Sequence, residues 1–247
     1  MSAYALVLAA AASFAAGLLG GALGLVLGSL RLPAILLVAG NPATAAGTNI
    51  AVSAAAALTA GTTHARAGRV SWPIVAWMTP PSVAAAFVGG YFGGLVPKTA
   101  LLVGIAVVLA WNGIQLLFAM RVPHRARNPR FAAVTAGAVI GLIGGAVGLI
   151  LGTLRMPALL GSVGLDARRA VGTNLVVGFF LGVAGFVGHA ARLEVEWLVL
   201  VVSVAAAVPG AWLGARLTGR LPEEVLKRAI GAVLVAVAVV IAIEGLV

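Results

Sequence analysis

The sequence predicts an all-α polytopic membrane protein made of two copies of one module. Composition is the first reason: 62% of the 247 residues are apolar and only 9% are charged, and the mean hydropathy is +1.14. A chain so apolar cannot cover itself with polar surface in water. Internal duplication is the second. Gly17 to Leu36, GLLGGALGLVLGSLRLPAIL, returns as Gly141 to Leu160, GLIGGAVGLILGTLRMPALL, with fourteen of twenty positions identical. One inserted residue later the match resumes: Gly47-Thr48-Asn49 with Gly172-Thr173-Asn174, His64 with His189, Trp72 with Trp197, Gly89 with Gly214 and Pro97 with Pro222. The repeats therefore occupy 1–120 and 131–247, joined by a basic linker over 121–130.

Crossing about 30 Å of hydrocarbon takes roughly 20 apolar residues in a helix. Runs of that kind are Tyr4–Val26, Ala43–Thr63, Pro73–Val96 and Leu101–Met120, then Phe131–Leu151, Ala170–Gly188, Trp197–Leu217 and Leu226–Val247. Each repeat thus has four full transmembrane helices. The first run has no basic leader or cleavage pattern and reads as a retained membrane segment. A shorter apolar stretch follows the first run of each repeat, Leu30–Gly40 and Leu154–Gly164. At about 1.5 Å per residue it covers half a membrane, so it is a short or broken segment.

The basic residues bear on how the copies are oriented. Counting the short stretches as crossings puts thirteen Lys and Arg on the cytoplasmic side and leaves Lys98, Arg155 and Arg192 outside. Leaving them out puts the majority outside, against the positive-inside rule. Five passes per repeat is an odd number, so the repeats are expected to be inverted, with both termini outside.

Composition also excludes functions. A net charge of +10 invites a nucleic-acid reading, but the cations lie in short connections and form no dense basic face, so no nucleic-acid partner is expected. There is no cysteine, and the three histidines have no duplicated carboxylate partner, so no metal site is expected. No Gly-x-Ser-x-Gly or Ser-His-Asp pattern occurs. Neither an enzyme nor a cofactor is indicated.

The candidate site residues are the polar ones that were duplicated. Thr48, Asn49, Thr173 and Asn174 place donors and acceptors in apolar spans, just after helix starts at Asn41-Pro42 and Asp166-Ala167. They can bond a solute, with helix N-termini favouring an oxyanion, or they can bond neighbouring helices. Arg31 and Arg155, each two residues before a proline, can snorkel to headgroups or offer a bidentate fork to an anion. Gly20-Gly21 and Gly144-Gly145 can break helices at the site or pack them closely. His64 and His189 can anchor the interface beside Trp72 and Trp197, or relay protons.

Taken together, these pieces resemble the sulfite exporter TauE/SafE family of membrane permeases. The pieces are a glycine-rich first span leading to Pro-Ala-Ile/Leu-Leu, a Gly-Thr-Asn span ending in His, a Val-x-Trp connection and a Gly-rich span ending near Pro, all present twice. The family commonly has Gly-Thr-Ser where this chain has Gly-Thr-Asn. The resemblance implies a secondary transporter, an exporter, of a small sulfur-containing or organic anion such as sulfite, a sulfonate or a carboxylate, in a prokaryotic inner membrane. Its partners would be that anion, the bilayer and, as an open alternative, a second copy in a homodimer. Rocking of one repeat against the other would give alternating access. The competing reading is a non-transporting scaffold or subunit of a larger membrane complex.

Overall fold

The computed structural model describes residues 3–23, 26–118 and 128–217, together with 228, 231–232, 235–236, 238–239 and 241–243. The helices are α1 (Ala3–Leu23), α2 (Gly28–Ala39), α3 (Pro42–Arg66), α4 (Trp72–Gly93), α5 (Lys98–Phe118), α6 (Pro129–Val147), α7 (Gly152–Pro157), α8 (Ala167–Ala190) and α9 (Trp197–Leu217). A π-helical turn, Ala158–Ser162, extends α7. Among the described residues α1, α3, α6, α8 and α9 are long and apolar enough to cross a membrane. The expected spans at Pro73–Val96 and Leu101–Met120 are the 22-residue α4 and the 21-residue α5. Most of the linker and of the expected span Leu226–Val247 lies outside the described residues, and what is described of that span is helical.

The short stretches are the half-length helices the sequence suggests. α2 stops at Gly40, whose φ of +65° is open to glycine and whose N–H returns to the Leu36 carbonyl. α6 stops at Gly148, φ +71°, and the Leu149 N–H closes the turn on the Gly144 carbonyl at 2.8 Å. The breaks therefore fall after the glycine doublets and not at them. Gly20 and Gly21 lie inside α1, and Gly144 and Gly145 lie in the last turn of α6. α3, α6 and α8 start with side-chain caps from Asn41, Asn128 and Asp166.

Glycine decides the packing. A Cβ on Gly17 would run into the Ala207 carbonyl, and one on Gly21 into that of Ala211. At the corresponding places a Cβ on Gly141 would strike the Ser82 carbonyl and one on Gly145 that of Ala86. The first helix of each repeat is thus pressed backbone to backbone against the fourth helix of the other, α1 on α9 and α6 on α4. The closest contacts of these four helices therefore cross between the repeats.

α3 and α8 form the centre, where 72% and 61% of their residues are buried, against 33% for α1 and for α9. They run antiparallel. Thr48, early in α3, accepts the Glu196 N–H from beyond the end of α8, and Thr173, early in α8, accepts the Ser71 N–H from beyond the end of α3, both at 2.9 Å. Trp72 and Trp197 are exposed at 58% and 61%, as suits side chains facing lipid or headgroups.

Candidate functional site: two buried arginine–asparagine pairs

Arg31 and Arg155 do not snorkel. Both are among the most deeply buried residues, at 1% and 0% exposure, which removes them from the charges that face a membrane surface. Pro33, two residues beyond Arg31, is accommodated within the short α2. In repeat 1 the Arg31 Nε donates to Asn49 Oδ1 at 2.7 Å, and Nη2 donates to Ser53 Oγ and to the Asn49 carbonyl. Asn49 Nδ2 in turn donates to the Gly148 carbonyl at 2.7 Å, at the break between α6 and α7. One buried asparagine therefore ties the short helix of its own repeat to the broken helix of the other. Gly28 must lack a side chain here, because a Cβ would press on Ser53 Oγ, Arg31 Nη2 and Asn49 Nδ2.

Repeat 2 keeps the pair but with fewer bonds. Arg155 Nη1 donates to Asn174 Oδ1 at 2.9 Å and to its carbonyl at 3.3 Å, and Nη2 donates to the Ile150 carbonyl. The position equivalent to Ser53 is Gly178, so no hydroxyl is present. Arg155 Nε and Asn174 Nδ2 are buried donors without a partner among the described residues. Among the described residues neither guanidinium meets a carboxylate. Two full positive charges are held inside the protein on amide, hydroxyl and carbonyl dipoles alone, an expensive arrangement that a bound anion would relieve.

The other predicted residues are placed differently. Thr48 spends its one O–H on the Thr44 carbonyl and accepts from the Glu196 N–H, so it has no donor for an anion. Thr173 fastens the loop after α3. Both threonines latch loops across the α3–α8 contact. Asn41 and Asp166 occupy their own helix starts by capping them, and the pocket beside Asn41 carries Glu194, a poor host for an anion. Gly20 and Gly21, with Leu27, Arg31, Ala60 and Leu175, line a cavity of about 10 Å³. That is room for about one water molecule, so the arrangement is closed around Arg31.

His64 and His189 are not interfacial anchors. They are 4% and 0% exposed. His189 Nδ1 lies 2.8 Å from Glu194 Oε2, and its Nε2 lies 2.9 Å from the Gly145 carbonyl oxygen. His64 Nδ1 has no partner among the described residues, and Arg69 stands where repeat 2 has Glu194. No group of residues able to hold a metal occurs among the described residues. Sequence reasoning missed Ser53, whose signal was its place one turn after Asn49 on the same face, and Glu194, five residues after His189.

The model of the sulfite exporter TauE/SafE family matches residues 9–241. The chain belongs to that family. A probable membrane transporter protein of Xylella fastidiosa strain Temecula1 is 30% identical over 90% of each chain. The probable membrane transporter protein YdhB of Bacillus subtilis is 26% identical over 76% of this chain and 79% of its own. One from Haemophilus influenzae is 25% identical over 95% of each. No solved structure matches the chain. Within this TauE/SafE protein the two buried Arg–Asn pairs are the duplicated charged groups with no ionic partner among the described residues, and the protein is an integral membrane transporter by family.

Proposed function

We propose that this protein is a secondary transporter of a small oxyanion, sulfite or a sulfonate, working as an exporter in a prokaryotic inner membrane. The observation that carries the reading is the pair of fully buried guanidiniums with no carboxylate partner among the described residues. An anion of about one unit of charge is the complement such a site lacks, and guanidinium forks match the oxygens of sulfite or sulfonate. The antiparallel course of α3 and α8 supports two inverted repeats, since equivalent helices running in opposite directions are related by an axis in the membrane plane. Alternating access then requires the cavity beside Arg31, large enough only for water, to widen as α1 moves with α9.

Purified protein in liposomes tests this. Flux of sulfite, methanesulfonate or acetate above protein-free vesicles, reduced by Arg31→Gln and Arg155→Gln, is the expected result. Absence of flux for the whole panel would instead favour a scaffold or subunit role.

A further inference from the structure

His189 is held by two groups that can only accept. A carboxylate has no proton to give unless protonated, and a backbone carbonyl never has one. A neutral imidazole carries a single N–H, so it satisfies either the Glu194 contact at 2.8 Å or the Gly145 contact at 2.9 Å, but not both. The observed geometry is complete only when the pair holds one additional proton. That proton sits either on the ring, giving imidazolium and carboxylate, or on Glu194, which then donates to Nδ1 while Nε2–H serves Gly145.

We infer that the His189–Glu194 pair of repeat 2 is a proton-binding site, and that losing its proton releases α8 from the end of α6 as the anion moves. Its link to the anion rests on the transporter reading above; the proton itself rests on geometry. The site is built for the pair. Gly47, Gly93 and Gly94 crowd it so closely that a Cβ on Gly47 or Gly94 would overlap the histidine or the carboxylate. Glu194, at 14% side-chain exposure, borders a vestibule of about 270 Å³ with Asn41, Pro42, Gly94 and Leu101, which gives protons a route from one membrane face. At the other end of α3 an open cleft of about 570 Å³ has Arg130 in its wall. The two entrances thus differ in charge although the backbone is duplicated.

The groups around the pair leave little else to titrate. The loop brings Glu194, Glu196 and Arg192, and Arg192 lies 5.5 Å over the Tyr91 ring of α4. Thr48 of α3 and the cap residue Asn41 before it are neutral, and α6 contributes backbone. Proton loss leaves one acceptor facing another, and that contact must open. Gly145 lies in the last turn of α6, three residues before the Gly148 carbonyl that holds Asn49 and, through it, Arg31. Only an N–H or O–H bond forms or breaks, and the proton is exchanged with water in the vestibule. Repeat 1 has no equivalent, because Arg69 replaces the carboxylate.

Two measurements on the intact protein in liposomes test this. In the first, hydrogen exchange of the 144–151 backbone, corrected for intrinsic rates, should lose protection by about tenfold or more as the pH is raised. Glu194→Gln should abolish that dependence, because its amide N–H donates to Nδ1 at every pH. A pH-independent wild type, or an unaltered dependence in Glu194→Gln, overturns the proton site. In the second, methanesulfonate flux is followed with a trapped pH dye, since this anion brings no titratable proton of its own. Wild type should move protons with the anion, while Glu194→Gln, whose contact stays closed at every pH, should lose proton movement and slow the anion with it. Anion flux without protons in the wild type overturns the coupling. No flux of any anion removes the transporter reading, and the exchange measurement then decides the proton site by itself.

Discussion

Asn49→Ala and Asn174→Ala remove the same side chain from equivalent positions, and the structure assigns them unequal costs. Asn49→Ala deletes the acceptor of Arg31 Nε at 2.7 Å and the donor to the Gly148 carbonyl at 2.7 Å. A bond to a charged group is worth about 1.5–3 kcal/mol and a neutral one about 1 kcal/mol, so the loss is roughly 3 kcal/mol. Asn174→Ala deletes only the 2.9 Å bond from Arg155 Nη1, because its Nδ2 has no partner to lose among the described residues. The difference is the neutral bond, about 1 kcal/mol, or roughly 2–4 °C in melting temperature for a chain of this size. Tryptophan fluorescence of detergent-purified variants during heating measures it. Equal melting temperatures, or the lower one in Asn174→Ala, would refute the argument that Asn49 joins the two repeats while Asn174 serves one.

Asn49→Asp gives Arg31 an internal counter-ion, so binding of methanesulfonate, measured by calorimetry, should weaken by tenfold or more while the protein still folds; unchanged affinity would remove Arg31 from the anion's path. Gly145→Val should abolish folded protein on size-exclusion chromatography, since its Cβ overlaps the Ala86 carbonyl, whereas Gly104→Ala should be almost neutral, its nearest neighbour being Val147 Cγ1 at 3.9 Å. On this cysteine-free background, Arg66→Cys and Arg192→Cys should react with an impermeant maleimide from opposite membrane faces, because Arg66 ends α3 and Arg192 lies just beyond the end of the antiparallel α8.

Much of this architecture was legible because it was written twice. The Gly17–Leu36 repeat located both half-length helices, and duplicated Arg31 and Asn49 marked the residues that meet in the core. What the duplication could not convey was direction. An arginine two residues before a proline looks like the end of a span, and only packing shows that the short helix turns it inward to an asparagine 18 residues on. Thr48 and Thr173 looked like ligands because polar atoms in apolar spans need partners, but loop N–H groups supply them. The histidines looked interfacial from their neighbours Arg66 and Trp72, yet the loops fold back over them. The most informative differences, Ser53 against Gly178 and Arg69 against Glu194, sit where symmetry fails, and a search for similarity passes over them.

The crossed packing of α1 on α9 and α6 on α4 also bears on why the two copies still resemble each other. Gly17 meets a carbonyl oxygen at Ala207, and Gly141 meets one at Ser82, residues that are themselves counterparts. Each copy is the mould for the other. A larger residue in either first helix is rejected by a fourth helix encoded 59 or more codons away, and both copies face the same rejection. Drift in one half is therefore policed by the other, so the segment from Gly17 to Leu36 keeps its likeness to Gly141 to Leu160 where no such mould acts on the loops. A chain severed at the linker would give two fragments, each exposing the surface its counterpart was shaped to fill.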